Sequence, residues 1–197
     1  MLITQLSQLD LTKQYTYADY LAWRIEERLE LIKGWVMRMS APSIAHQTIQ
    51  MELILEMGTF FRNHPCRFLA APVDVCLTRK GANDTSIKTV VQPDLLVVCD
   101  LEKIKMNRNV MGAPDLVVEI LSPGNTKKEM KQKYEVYEEN SVREYWLVHP
   151  TEKYAVIHSL QPDGKFRASA YFTDDDILVS PLFPELHINL SLVFKNV

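Results

Sequence analysis

Apolar residues along the chain are spaced either three to four positions apart or two positions apart, and these two periods predict its helices and strands. Helical spacing predicts helices over 17–28, 44–62 and 127–140. Thr16 and Ser43 are suitable N-cap residues for the first two helices. For the third, Thr126 and Glu129 match the capping box, in which the two side chains satisfy each other's end amides.

Short apolar or alternating runs predict the strands. They are a hairpin within 29–39 around Lys33-Gly34, strands over 67–78, 89–99, 115–122 and 144–148, and a hairpin of 154–160 with 165–172. From Ser43 onward the order is helix, three strands, helix, strand, which predicts a mixed α/β (α+β) fold. We expect one domain over 1–197, with a core at about 43–150, a central mixed sheet and a hairpin added at each end.

Composition narrows the classes of function. A net charge of −3 lacks the global basic signature of a nucleic-acid-coating protein, although an enzyme that touches DNA locally remains allowed. The chain has no secretory signal and no apolar run of the ~18 residues that a membrane span needs, so we expect a cytoplasmic protein. Cys66, Cys76 and Cys99 are widely spaced and are expected to be buried free thiols in a reducing compartment.

Glu119 interrupts the apolar strand 115–122. Strand alternation places Val117 and Leu121 on its face, and the other face is apolar as well. A carboxylate among core residues is costly unless something pairs with it. The partner is expected to be a metal ion, a lysine or both; a structural salt bridge is the alternative.

Two Pro-Asp pairs precede Glu119, and strand geometry distinguishes them. Asp115 lies on the same strand, roughly 13 Å away, too far to share one ion, and is interpreted as a strand-end residue in a turn. Asp94 lies on another strand, and neighbouring strands are ~4.8 Å apart. If the two strands pair, Asp94 and Glu119 can both reach one cation at ~2.1 Å. Pro93 predicts a sheet edge or a β-bulge beside Asp94. The alternative interpretation of Asp94 is the same as for Asp115, a residue in a turn.

The helix after Glu119 supplies a cation. Met130, Tyr134 and Tyr137 form a face that should pack on the sheet. Lys133 lies roughly 60° from the centre of that face, so its stem can follow apolar surface while its ammonium turns toward Glu119. Two carboxylates and a lysine suit metal-assisted hydrolysis of phosphodiesters.

Rival chemistries lack their signatures. The sequence contains no HExxH, GxGxxG or P-loop pattern, and no Ser-His-Asp arrangement stands out. The five histidines are scattered without ligand spacing. Only His46 is kept as a site candidate, because it begins the helix that should pack beside the strands.

An ordered set of strings, spread over most of the chain, resembles the Uma-type restriction endonucleases of the PD-(D/E)xK, restriction-endonuclease-like superfamily. The strings are LELIKG at 29–34, His46-Gln47, QPDLLVV at 92–98, PDLVVEILSP at 114–123, KYEVY at 133–137 and REYWLVHP at 143–150. The resemblance implies a restriction-endonuclease-like core and Asp94 and Glu119 as metal ligands. The superfamily usually has a lysine two residues after the acid, but position 121 of this chain is Leu. In the narrower family the lysine lies on the following helix, which corresponds to Lys133 here.

The resemblance further implies a deoxyribonuclease that uses Mg²⁺ or Mn²⁺, with DNA as its partner and a homodimer by analogy. Glu30, His46 and Tyr137 are expected to line the site. The alternative is a nuclease-like fold that binds nucleic acid or a protein without cleavage. A structural interaction domain, the third alternative, predicts that Glu119 pairs with an arginine and that Asp94 points to solvent. The candidates for a local basic cleft are Lys103, Lys105, Arg108, Lys127, Lys128, Lys131 and Lys133.

Overall fold

The structure is a computed structural model that describes residues 2–78, 82–105, 108–122 and 127–197. The predicted cap Thr126 and the three residues before it, 123–125, lie outside the described residues. The described α-helices are α1 Tyr17–Ala22, α2 Ile44–Phe61, α3 Lys127–Glu139 and α4 Leu190–Val193, with 3₁₀ turns at Leu6–Gln8 and Leu101–Lys103. In the described part of the chain, none of these helices has the length and apolarity needed to cross a membrane.

The strands form two larger sheets and one small one. They are β1 Leu29–Ile32, β2 Trp35–Arg38, β3 Arg67–Ala70, β4 Val75–Cys76, β5 Val90–Val91, β6 Leu95–Val98, β7 Ile104–Lys105, β8 Asn109–Met111, β9 Leu116–Ile120, β10 Glu144–His149, β11 Tyr154–Leu160, β12 Phe166–Thr173, β13 Ile177–Val179 and β14 His187–Asn189. The central sheet has the order β12-β11-β10-β9-β6-β3, and the N-terminal sheet has the order β2-β1-β5-β4-β8-β7. Strands β13 and β14 pair with each other. The mixed α/β fold with a central mixed sheet is confirmed: β9 and β10 are parallel, whereas β6 and β9 are antiparallel.

Two predicted strands each divide between the sheets. The run 67–78 becomes β3 in the central sheet and β4 in the N-terminal sheet, and the run 89–99 becomes β5 and β6. Prolines at 72 and 93 lie in the two breaks, where a residue without an N–H cannot donate to a sheet ladder. Pro93 therefore marks a change of sheet, not the edge or bulge that was predicted. The connection 100–112, which lies between two predicted strands, also contributes β7 and β8.

The core has one layer on each face of the central sheet. Helix α2 packs on the face that carries Leu116 and Val118, through buried residues that include Ile49 and Leu53. Helix α3 packs on the opposite face with Val117. The predicted alternation along β9 is thus confirmed, and Glu119 belongs to the α3 face.

The prediction of three free thiols is wrong for two of the cysteines. Cys66 and Cys99 form a disulfide, whereas Cys76 is a buried free thiol. In the antiparallel pair of β3 and β6, Arg67 lies opposite Val98, so the next residue on each side, Cys66 and Cys99, are also opposed. Spacing along the sequence could not show this, because the register depends on where the second predicted strand breaks.

Candidate active site

Asp94 and Glu119 meet across two neighbouring strands. The register of β6 and β9 places Leu95 opposite Val118, and continuing it by one residue places Asp94 opposite Glu119. The backbone N–H of Ile120 donates to Asp94 Oδ2 at 2.8 Å. Both carboxylates are buried, each about 8% exposed. The pairing on which a shared site depends is therefore present, and Asp94 is not the solvent-facing residue that a structural domain predicted.

Lys133 joins the two sheets at this point. Its Nζ, carried by α3, lies 2.8 Å from Glu119 Oε1 in the central sheet and 3.0 Å from Glu30 Oε1 in the N-terminal sheet. The predicted turn of its ammonium toward Glu119 is confirmed, and Glu119 pairs with lysine instead of arginine. Glu30 is fixed further by the backbone N–H of Gln92, which donates to its Oε1 at 2.8 Å.

Three further contacts fix the geometry of the carboxylates. The Tyr137 hydroxyl donates to Glu119 Oε1. His46 Nε2 lies 3.1 Å from Asp94 Oδ2, and its backbone N–H donates to the N-cap hydroxyl of Ser43, so the start of α2 places this ring. Glu30, His46 and Tyr137, all predicted from the sequence to line the site, are brought into it.

The electrostatic balance of the cluster is unusual because acids outnumber bases. Burial is the main cause that raises the pKa of Glu119 to about 7, and Asp94 and Glu30 add to it while Lys133 opposes it. Burial acts against the charge of Lys133, but Glu119 and Glu30 outweigh it and raise the pKa of the ammonium. Burial and the neighbouring Glu119 also raise the pKa of Tyr137 well above its ordinary value. Lys133 is therefore a permanent cation, and Tyr137 a neutral donor.

A cavity of about 230 Å³ opens onto these groups. Glu30, His46, Asp94, Glu119 and Lys133 all line it, and Tyr137 supports Glu119 from behind. The hairpin β1–β2, the start of α2 and α3 form its walls.

The sequence model of the Uma2 family, described as "Putative restriction endonuclease", matches residues 17–191. The chain belongs to the Uma2 family. An uncharacterised protein from Synechocystis sp. (strain PCC 6803) is 28% identical over 165 residues, which cover 80% of each chain. The crystal structure of a "putative nuclease belonging to DUF820" from Anabaena variabilis ATCC 29413 superposes with a TM-score of 0.73 at 19% identity, over 92% of this chain and 98% of that one. At that identity the likeness shows a shared fold.

The predicted basic cleft is largely absent from this Uma2 cavity. Of the seven predicted cations, only Lys133 lines it. Lys103 donates to the Ala113 carbonyl, Lys105 donates to the Glu102 carbonyl, and Arg108 pairs with Asp84. These three residues lie in or beside β7 and β8. They are away from the cavity because the connection 100–112 folds into the N-terminal sheet. Lys127, Lys128 and Lys131 lie on the exposed first turns of α3.

Two arginines that sequence reasoning missed line the cavity instead. Arg28 and Arg38 are exposed residues on either side of the hairpin. The hairpin register places Met37, which also lines the cavity, opposite Glu30. Arg38 lies one position further along, opposite Leu29, so strand alternation alone does not predict that it reaches the cavity.

The donor set of the Uma2 cavity fits a hard divalent cation. Both contacts of the Asp94 carboxylate use Oδ2, and both contacts of the Glu119 carboxylate use Oε1. Among the described residues, Asp94 Oδ1 and Glu119 Oε2 make no hydrogen bond. The described part of the chain contains no group of three or more His, Cys, Asp or Glu side chains placed to hold a metal ion. Two carboxylates with water completing the shell is the arrangement that Mg²⁺ favours.

Proposed function

We propose that this protein is an endonuclease that hydrolyses the phosphodiester bonds of DNA with the help of Mg²⁺ or Mn²⁺. The observation that carries the proposal is the convergence of Asp94, Glu119 and Lys133 in one cavity, from two adjacent strands and the helix that follows. Membership of a family described as "Putative restriction endonuclease" supports the same reaction class.

Asp94 Oδ1 and Glu119 Oε2 are the atoms that would hold the metal ion. When bound, the ion would offset charge on the scissile phosphate and lower the pKa of a water molecule. The opposing oxygens of the same side chains are already held by His46 and Tyr137. Both carboxylates are therefore oriented before any ligand arrives, and little ordering remains to be done on binding.

Lys133 has a separate role at the phosphate. Its ammonium has three N–H donors, of which Glu119 and Glu30 use two. The third donor can bind a phosphate oxygen and stabilise the negative charge that develops during hydrolysis. Glu30 acts as a positioning residue, because it holds the ammonium beside Glu119.

Plasmid cleavage tests the proposal. Supercoiled plasmid is incubated with wild-type protein, Asp94→Ala, Glu119→Ala and a control, Glu52→Ala, in Mg²⁺, Mn²⁺ or EDTA. Glu52 is a half-buried carboxylate on α2 that does not line the cavity. We expect cleavage by wild type and Glu52→Ala with either metal, and none in EDTA or with the two site variants. Cleavage that survives both site substitutions would refute the assignment. Oligonucleotide binding by wild type without any product would favour the alternative of binding without cleavage.

A further inference from the structure

Three aromatic rings form a continuous stack on the outer half of the central sheet. His149 of β10 stacks on Tyr154 of β11 with ring centroids 5.0 Å apart and an interplanar angle of 23°. Tyr154 stacks in turn on Tyr171 of β12 at 5.0 Å and 22°. Strand β12 is the edge of the sheet, and Tyr171 is 61% exposed. We call these three residues the aromatic strip.

The aromatic strip shares a sheet face with the catalytic candidates. Glu119 lies opposite Leu147, Leu147 opposite Val156, and Val156 opposite Tyr171. Directly paired residues project to the same side, so this row runs across the sheet from Glu119 to Tyr171. Tyr171 is three strands from Glu119, or about 14 Å at the usual strand spacing. His149 is one strand across and two residues along, about 8 Å away between backbone positions.

Exposed lysines lie at the same end of this face. Helix α3 connects the parallel strands β9 and β10, so it runs back against them and begins near the end of β10 that carries His149. Its second half is fixed over the start of β12, where the Tyr134 hydroxyl donates to the Phe166 carbonyl at 3.1 Å. Its first turns lie at that end beside the cavity, because Glu129 and Met130 line it. They carry Lys127, Lys128 and Lys131, all exposed.

We propose that the aromatic strip and these lysines bind the unpaired bases and the phosphates of a single-stranded nucleic acid. Every base has a π-face that can stack on an exposed aromatic ring, whereas a duplex keeps those faces buried in its own base stack. The lysines offer positive charge to the backbone beside the stacked bases. The inference rests on the proposed function and specifies its substrate: the DNA that leads into the cavity is single-stranded where it crosses the aromatic strip.

Anisotropy of labelled oligonucleotides in EDTA tests binding without requiring cleavage. A short oligo-dT strand and a duplex of equal length are titrated with wild type, Tyr171→Ala, Tyr171→Phe and Leu101→Ala. Leu101 is a matched control, because it is an exposed apolar residue in the turn before β7. We expect Tyr171→Ala to weaken single-strand binding about ten-fold and to leave duplex binding unchanged. Tyr171→Phe, which keeps the ring, and Leu101→Ala should bind like wild type.

A lysine variant tests the binding of phosphates. Lys127→Gln with Lys128→Gln should reduce the dependence of single-strand affinity on salt, by about 0.7 in the log–log slope for each phosphate that is no longer neutralised. Equal single-strand binding by wild type and Tyr171→Ala would overturn the proposal, as would equal weakening for duplex and single strand, or no binding of oligo-dT by wild type at low salt. Thermal unfolding of Tyr171→Ala within a few degrees of wild type is the folding control.

The two proposals fail separately. Glu119→Gln should abolish plasmid cleavage and retain single-strand binding, since Glu119 is not part of the strip. If Glu119→Gln still cleaves while Tyr171→Ala loses binding, the active-site assignment is wrong and the strip stands. If Glu119→Gln loses cleavage while Tyr171→Ala binds normally, the strip is refuted and the active site stands.

Discussion

Two Pro-Asp pairs open neighbouring strands of the central sheet, yet only one of them belongs to the candidate site. Pro93-Asp94 precedes β6 and Pro114-Asp115 precedes β9, and both are followed by apolar residues. Because the strands are antiparallel, each aspartate meets the far end of the other strand. Asp94 meets Glu119 and Ile120, whereas Asp115 meets Cys99.

The two aspartates differ in how completely the protein satisfies them. Asp115 uses both oxygens, since Oδ2 accepts from the backbone of Cys99 at 2.8 Å and Oδ1 pairs with Arg143 at 3.1 Å. Among the described residues, the contacts of the Asp94 carboxylate use only Oδ2, and it lies beside a second buried carboxylate, Glu119. A satisfied aspartate closes a strand end, and an incompletely satisfied one can bind an ion. The dipeptide is the same; the residue opposite decides which role it takes.

The largest expected effect is on cleavage. Under the proposed function, Asp94→Asn should lower the rate of plasmid cleavage in Mg²⁺ by about 10³-fold, because it removes the negative charge of a carboxylate that would hold the metal ion. Asp115→Asn should change the rate less than about three-fold when assayed where it is fully folded, since neither Asp115 nor its partner Arg143 lines the cavity. Equal losses for the two variants would remove the distinction between the pairs.

The next test compares the cations that pair with the carboxylates at the two ends of β9, Lys133 with Glu119 and Arg143 with Asp115. Lys133→Met leaves two buried carboxylates without their shared partner and should lower the free energy of unfolding by about 3 kcal/mol, measured with urea. Arg143→Met should cost under about 1 kcal/mol, because the Arg143 side chain is 57% exposed. A smaller loss of stability for Lys133→Met than for Arg143→Met would contradict a buried cluster that depends on its lysine.

Stability should also depend on pH through Glu119. Its pKa in the folded protein is about 7, above the ordinary value of 4.5, so the folded state retains a proton that the unfolded state loses. Stability in EDTA should therefore fall as pH rises from about 5 to about 7, by up to about 1.4 kcal/mol per pH unit. Glu119→Gln should remove this slope and Asp115→Asn should keep it. A slope unchanged in Glu119→Gln would show that another group is responsible.

The smallest expected effect compares the stabilities of the aspartate variants themselves. Asp115→Asn loses a charge-assisted hydrogen bond and should be destabilised by about 1 kcal/mol in metal-free buffer. Asp94→Asn removes the repulsion between Asp94 and the carboxylates of Glu119 and Glu30, so its stability should be equal to or greater than that of wild type. Urea unfolding at pH 7 with EDTA measures both. Destabilisation of Asp94→Asn by more than Asp115→Asn would reverse the comparison.

Local pattern was sufficient to predict much of the site. The strand containing Glu119, the helix containing Lys133 and the turn of that lysine toward Glu119 follow from periodicity and helix angles. The choice of Asp94 over Asp115 followed from distance along a strand. These features depend on residues close in sequence, or on one assumption about pairing that the structure satisfies.

Features that depend on the path between sheets could not be predicted. The sequence of 67–78 and that of 89–99 each predict one strand, because apolar residues continue through the breaks. The disulfide of Cys66 and Cys99 depends on the register of shortened strands. Lys103 and Lys105 looked available for DNA because nothing local indicates that their connection adds two strands to a sheet.

The contact of Lys133 with both sheets limits which parts of this fold can be removed or replaced. Glu30 comes from the N-terminal sheet and Glu119 from the central sheet, and one ammonium holds both. The backbone of Gln92, where the chain changes sheet, is fixed to the same Glu30. The N-terminal sheet is therefore not an appendage that could be removed or exchanged while the candidate site stays intact. Any shortened or chimeric version must carry the β1–β2 hairpin with it, because the lysine is positioned from both sides.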